Sequence, residues 1–88
     1  MKYEVLWTPS ALDEVAELWA NADAAMRKAI TAATAKIDSL LRNSPDEVGE
    51  SRPSNQRIAF VPPLGVRFQM RSDQNVVVLR VWAPRRKQ

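Results

Sequence analysis

The chain has 88 residues, 45% hydrophobic and 26% charged, with Gly 2 and Pro 6; this fits one folded domain over residues 1–88 and excludes a disordered or collagen-like chain. Cysteine and histidine are both absent, which removes disulfides, thiolate and imidazole metal sites, Ser-His and Cys-His nucleophile pairs and the usual neutral-pH base, so no metal or cofactor is expected. The formal net charge of +3 divides sharply: residues 1–50 carry five cations and nine acids, a net of −4, and residues 51–88 carry eight cations and one acid, a net of +7.

Lys2 to Trp7 alternates, with Tyr3, Val5 and Trp7 on one side and Lys2, Glu4 and Leu6 on the other, and is predicted as a short strand. Thr8-Pro9-Ser10 reads as a helix start. Pro fits the first turn, Thr8 or Ser10 can cap free amides, and Asp13 and Glu14 suit the positive N-terminal end. Leu12, Val15, Ala16 and Trp19 form an apolar stripe with Leu18 beside it. Asp23 can cap a second helix from about Ala24 to Arg42, whose stripe is Met26, Ile30, Ala33, Ile37 and Leu40, widened by Leu41. Asn43-Ser44-Pro45 stops it. Asp46 to Asn55 is polar and is predicted as a connection.

Gln56 to Val61 is a predicted strand, with Ile58 and Phe60 on one face and Arg57 and Ala59 on the other. Pro62-Pro63-Leu64-Gly65 is a turn. Leu64, Val66, Phe68 and Met70 then alternate with Gly65, Arg67, Gln69 and Arg71, apolar on one face and basic on the other. Ser72-Asp73-Gln74-Asn75 is a hairpin turn, and Val76 to Trp82 a nearly continuous apolar strand of a central kind. Ala83-Pro84 ends it before the basic tail Arg85-Arg86-Lys87-Gln88. No apolar run approaches the roughly 20 residues of a membrane span, and no long apolar stretch follows Met1-Lys2-Tyr3-Glu4, so a cytoplasmic protein is expected.

The order is strand, helix, helix, strand, strand, strand. It describes an α+β two-layer domain: an antiparallel meander sheet with the N-terminal strand added, and two helices packed on one face. The helices take the side of Val66, Phe68 and Met70. The opposite face then carries Arg67, Gln69 and Arg71, with Arg57 and Arg80 as neighbours. Seven of the eight cations after residue 50 are arginines, whose planar fork suits phosphate and carboxylate, and this points to a polyanionic partner. Cations facing one another across strands repel, so the face calls for an anion to balance it. Arg85, Arg86 and Lys87 would add a salt-dependent, sequence-blind phosphate contact. Trp7, Trp19 and Trp82 are expected to serve in packing before nucleotide stacking. Arg27 and Arg42 are expected to face solvent.

At this point the chain resembles the RelE/ParE superfamily of toxins from type II toxin–antitoxin systems. The resemblance rests on Tyr3-Glu4-Val5-Leu6-Trp7, Ala11 with Leu12, Trp19, Ile37-Asp38-Ser39-Leu40-Leu41, Pro45, Arg57, Gly65-Val66-Arg67-Phe68 and Val76-Val77-Val78-Leu79-Arg80-Val81. It implies a toxin held inactive by an antitoxin whose extended C-terminal segment wraps around it. The RelE-like branch cleaves messenger RNA in the ribosome, and the ParE-like branch blocks DNA gyrase. By the same resemblance Arg67 matches the arginine after the Gly-aromatic step of the third strand, where the usual Tyr is here Val66. Arg57 falls near the basic second-strand positions, and Arg85 or Arg86 near the basic position after the last strand, so Arg67, Arg57 and Arg85 are the candidates for phosphate or transition-state stabilisation.

Arg67, Arg71, Arg80, Arg85, Arg86 and Lys87 are the candidate nucleic-acid contacts. No Tyr, His or Glu follows Trp82, and the one Tyr is Tyr3. RNA cleavage needs a base, and arginine with a pKa above about 12 is a poor one. The expected activity is therefore either a ribosome-dependent messenger RNA endonuclease that lacks the usual base or a gyrase-directed binder. The alternative is a non-catalytic binding module for RNA or an acidic peptide, or a repurposed superfamily member.

Overall fold

A computed structural model of the protein describes residues 2–72 and 74–84. In chain order its elements are β1 (Glu4–Trp7), α1 (Pro9–Ala20), α2 (Ala24–Asn43), a 3-10 turn (Pro45–Glu47), β2 (Glu50–Arg52), β3 (Gln56–Val61), β4 (Leu64–Met70) and β5 (Asn75–Trp82). The five strands form one sheet in the order β1-β5-β4-β3-β2. β1 runs parallel to β5, and the other pairs are antiparallel. This is the expected α+β arrangement, with one strand more than predicted. No helix among the described residues is long and apolar enough to cross a membrane.

The extra strand lies inside the predicted connection Asp46–Asn55. β2 is short and polar because it forms the sheet edge, where its outward groups meet water. Gly49 enters it at φ +73 with its Cα against the β3 backbone at Ile58, which leaves no room for a side chain. Ser54 and Asn55, at φ 66 and 60, turn the chain into β3.

Both helices are capped by their predicted residues. Thr8 Oγ1 accepts the Ala11 N–H at 3.0 Å and Asp23 Oδ1 accepts the Met26 N–H at 2.8 Å. The α2 stripe packs as expected, with Ile30, Ala33, Ile37 and Leu41 buried, although Met26 stands 44% exposed. The α1 stripe is rotated from the predicted one. Ala11 is fully buried, Val15 and Leu18 pack on the core, and Leu12 and Trp19 are 54% and 43% exposed. The Thr8 N–H donates to Val78 O and so pins the helix start against β5, where the small Ala11 permits close approach.

Two arginines expected in solvent are structural. Arg27 lies over the Trp19 ring at 4.3 Å and donates from Nε to Trp19 O at 2.9 Å and from Nη2 to Ala20 O at 3.2 Å, closing the end of α1. Arg42 donates from Nε to Asp38 Oδ2 at 2.7 Å, while Asp38 Oδ1 accepts the Trp7 indole N–H at 3.1 Å. This trio ties β1 to α2.

The face of the sheet turned to the helices is apolar: Val5, Ala59, Val61, Leu64, Val66, Phe68, Val76, Val78 and Val81 are all buried. β5 reaches this pattern through a bulge. Arg67 pairs with Arg80 but Phe68 pairs with Val78, so Leu79 is an extra residue. Without it the period of two would carry Arg80 to the face of Val76 and Val78.

Candidate functional site

The ladder arranges the open sheet face in rows. Phe60, Gly65 and Trp82 are cross-strand neighbours in the first. The Trp82 ring covers Gly65, where an added Cβ would meet it at 2.6–2.8 Å. Phe60 stands edge-on to Trp82, with centroids 6.1 Å apart and an interplanar angle of 88°. The second row is Glu50, Ile58, Arg67 and Arg80. The third is Arg52, Gln56, Gln69, Val77 and Leu6. Arg71 follows the end of β4 on the same side by alternation.

The counter-groups of these cations differ. Arg67 donates from Nη1 to Gln56 Oε1 at 2.6 Å, and Arg71 donates from Nε to Gln69 Oε1 at 2.9 Å. Both partners are neutral amides. Gln69 is itself held by its Nε2 donating to Ser54 O at 3.0 Å. Arg52 pairs loosely with Glu50 at 3.4 Å. Arg80 donates from Nε to Glu14 Oε2 at 2.7 Å, reaching past the sheet edge to α1. Among the described residues, Arg67 and Arg71 form no ion pair. They are the parts of the face best able to receive an anionic group.

Arg57 is not part of this set. It stands opposite Phe68, on the helix side of β3. Its Nε donates to Val48 O and its Nη2 to Gly49 O, each at 2.8 Å. The expectation that it neighbours Arg67 fails because Ala59 and Val61, not the larger Ile58 and Phe60, face the helices. Arg67, Arg71 and Arg80 share the open side. Arg85, Arg86 and Lys87 lie outside the described residues.

Sequence reasoning missed two features. One is the aromatic row; the signal for it was a side-chain-free Gly65 at the start of β4, between strands that each carry a single aromatic, Phe60 and Trp82. The other is a pair of apolar clefts. The first, of about 620 Å³, lies between the α1–α2 turn and the β3–β4 turn and is bordered by Leu18, Ala22, Met26, Phe60 and Pro63. The second, of about 460 Å³, lies between the helices beside Trp7, Leu12, Val15 and Trp19. No cluster of three or more carboxylates among the described residues is arranged to hold a metal ion.

Among the described residues, the groups of this face able to move a proton are carboxylates at its margins: Glu4 in the row of Asn75 and Arg71, Glu14 on Arg80, and Glu50. The guanidinium groups cannot act as bases at neutral pH. Tyr3 alternates with Glu4 and packs against the core. Glu50, in the row of Arg67, is separated from it by the whole of β3 and is itself engaged with Arg52.

Comparison with known proteins gives a consistent picture. The profile of the ParE toxin of type II toxin–antitoxin system, parDE, matches residues 5–87. A chain of the chromosomal ParDE toxin–antitoxin system from P. aeruginosa superposes with a TM-score of 0.75 at 14% identity, covering 93% of this chain and 96% of that one. A chain of the toxin–antitoxin complex RelBE2 from Mycobacterium tuberculosis superposes with a TM-score of 0.72 at 16% identity, covering 96% of this chain and 93% of that one. None of the curated protein sequences matches.

Proposed function

We propose, since this chain belongs to the ParE toxin family of type II toxin–antitoxin systems, that it arrests growth by binding its target through the open sheet face and does not cut RNA. The target is DNA gyrase engaged on DNA, and the site of action is the cytoplasm. One observation carries this reading: Arg67 and Arg71, which form no ion pair among the described residues, each donate to a neutral amide, while Tyr3, the one tyrosine of the chain, packs against the core on the other side of the sheet. Such a surface favours an anionic partner through charge and orientation, and supplies the cations of a phosphoryl-transfer site with no imidazole or phenol beside them to act as its base.

In the resting state the partner is a cognate antitoxin. Two similar chains come from a ParDE system and a RelBE2 complex, and the apolar clefts beside the sheet add surface that an extended segment can cover.

Expression of the chain alone tests the reading. Growth arrest relieved by the product of the neighbouring antitoxin gene is expected, together with full-length messenger RNA and gyrase trapped on cleaved DNA. Truncated messenger RNA would show that the site is catalytic after all. Harmless expression at high level would favour the plain binding module.

A further inference from the structure

Near the end of β5 the helix layer reaches the open face through the Glu14 side chain. We propose that Glu14 is a positioning residue that holds Arg80 at the sheet edge, so that a phosphate backbone bound on the open face has to draw Arg80 away from it. This rests on the reading above that the open face takes an anionic, phosphate-bearing partner.

The geometry comes from the unequal lengths of β1 and β5. β1 ends at Trp7, opposite Val78, while β5 continues to Trp82. The Val81 N–H is thus left without a strand partner on the β1 side, and Glu14 Oε1 accepts it at 2.8 Å. That bond fixes the carboxylate, whose other oxygen accepts the Arg80 Nε–H at 2.7 Å. The Glu14 side chain is 26% exposed and the Arg80 side chain 64% exposed. Arg67, directly across the ladder from Arg80, is held by the neutral Gln56. Two facing cations are therefore treated differently: one keeps its full charge, and the other is partly neutralised from the side.

An anion that docks on Arg67 gains the second guanidinium only in competition with Glu14. An exposed ion pair is modest in strength, so the competition sets the affinity and the salt response and does not block binding. Leaving Arg80 uncompensated beside Arg67 would add repulsion between facing like charges. Glu14 removes that cost in the free protein.

Glu14→Gln separates the two bonds. The amide oxygen still accepts the Val81 N–H, but the amide N–H groups then face the Arg80 Nε–H as a second donor, and Arg80 is released. Glu17→Gln, one turn along the exposed side of α1, changes the net charge equally and is the control. The full chain is titrated against a fluorescein-labelled oligothymidylate, by anisotropy, over a salt series. Glu14→Gln is expected to bind about two- to fivefold tighter than Glu17→Gln. Its salt dependence should be steeper by about 0.7 in log–log slope, as for one further phosphate contact on a single strand. Both differences should vanish in an Arg80→Ala background.

Equal binding by the two glutamine variants, or an excess that survives Arg80→Ala, overturns the role of Glu14. If Glu14→Gln is too unstable to titrate, Arg80→Ala in the native background decides: it must cost less binding than Arg67→Ala, and an equal or larger loss overturns the proposal. Binding that is indifferent to Arg67→Ala, or no binding by the native protein even at low salt, overturns this inference, whereas the open-face reading itself falls if Arg67→Ala leaves growth arrest intact.

Discussion

Trp82 lies across Gly65, with its ring occupying the space that any side chain at Gly65 would need. This contact forms the aromatic end of the open face, because Phe60, the other cross-strand neighbour of Gly65, closes on Trp82 from the side. Gly65→Ala places a methyl carbon at 2.6–2.8 Å from the indole and must displace it. The expected result is a loss of about 1–3 kcal/mol of stability, as for other overpacked sites, and a shift of tryptophan emission toward that of an exposed indole. Denaturant melts followed by fluorescence measure both. An unchanged melt would mean that Trp82 is free to leave Gly65 at little cost.

Asp38 carries a pH dependence. Burial pushes its carboxyl toward a higher pKa, but the hydrogen bond from Arg42, the hydrogen bond from Trp7 and the Arg42 charge outweigh it and hold it below its ordinary value. A carboxyl with a lowered folded-state pKa stabilises the fold above its unfolded-state pKa, and the contribution is lost as pH falls through the folded-state value. Asp38→Asn is therefore expected to be less stable than the native protein at pH 7, by about 1 kcal/mol for a partly exposed charged hydrogen bond. The two melts should converge in acid, below the ordinary carboxylate range. A gap that persists in acid would assign the loss to packing around Trp7.

Arg57 is a structural cation by its contacts, and its removal should act on folding alone. Arg57→Ala leaves Val48 O and Gly49 O without their guanidinium donors and is expected to cost about 1–2 kcal/mol. Arg57→Lys should recover only part, since an ammonium lacks the fork that spans two carbonyls. Antitoxin or oligonucleotide affinity of the folded variant should stay at the native value. A selective loss of affinity in a stable Arg57→Ala protein would return this residue to the binding face.

Arg67 is expected to matter for action more than for folding. Its side chain meets a neutral amide on an open face, so Arg67→Ala should change stability by no more than about 1 kcal/mol. Growth arrest on induction should nonetheless be lost. Lys36→Ala, on the exposed side of α2, removes the same charge and should leave arrest intact. Colony counts after induction of each variant give the comparison, and equal behaviour would remove the argument from the sheet face.

Much of the architecture is legible in the chain because its causes are local. The alternation from Leu64 to Met70, the steps of the α2 stripe, and Thr8 and Asp23 ahead of apolar runs each depend on neighbours a few residues away. They determined the order of the elements, the two layers and the side of β4 on which Arg67 stands. What the local pattern leaves open is which face of a strand meets the helices, because alternation divides a strand into two faces without choosing between them. β3 shows this: its larger side chains, Ile58 and Phe60, lie outside, and the register with β4 turns Arg57 inward to the β2 connection. Arg80 stands on the expected open face for a reason only the tertiary structure shows: one bulged residue, Leu79, reverses the side on which every later residue of β5 emerges. The partner of Arg80, Glu14, is 66 positions away along the chain, a distance over which no periodicity carries information.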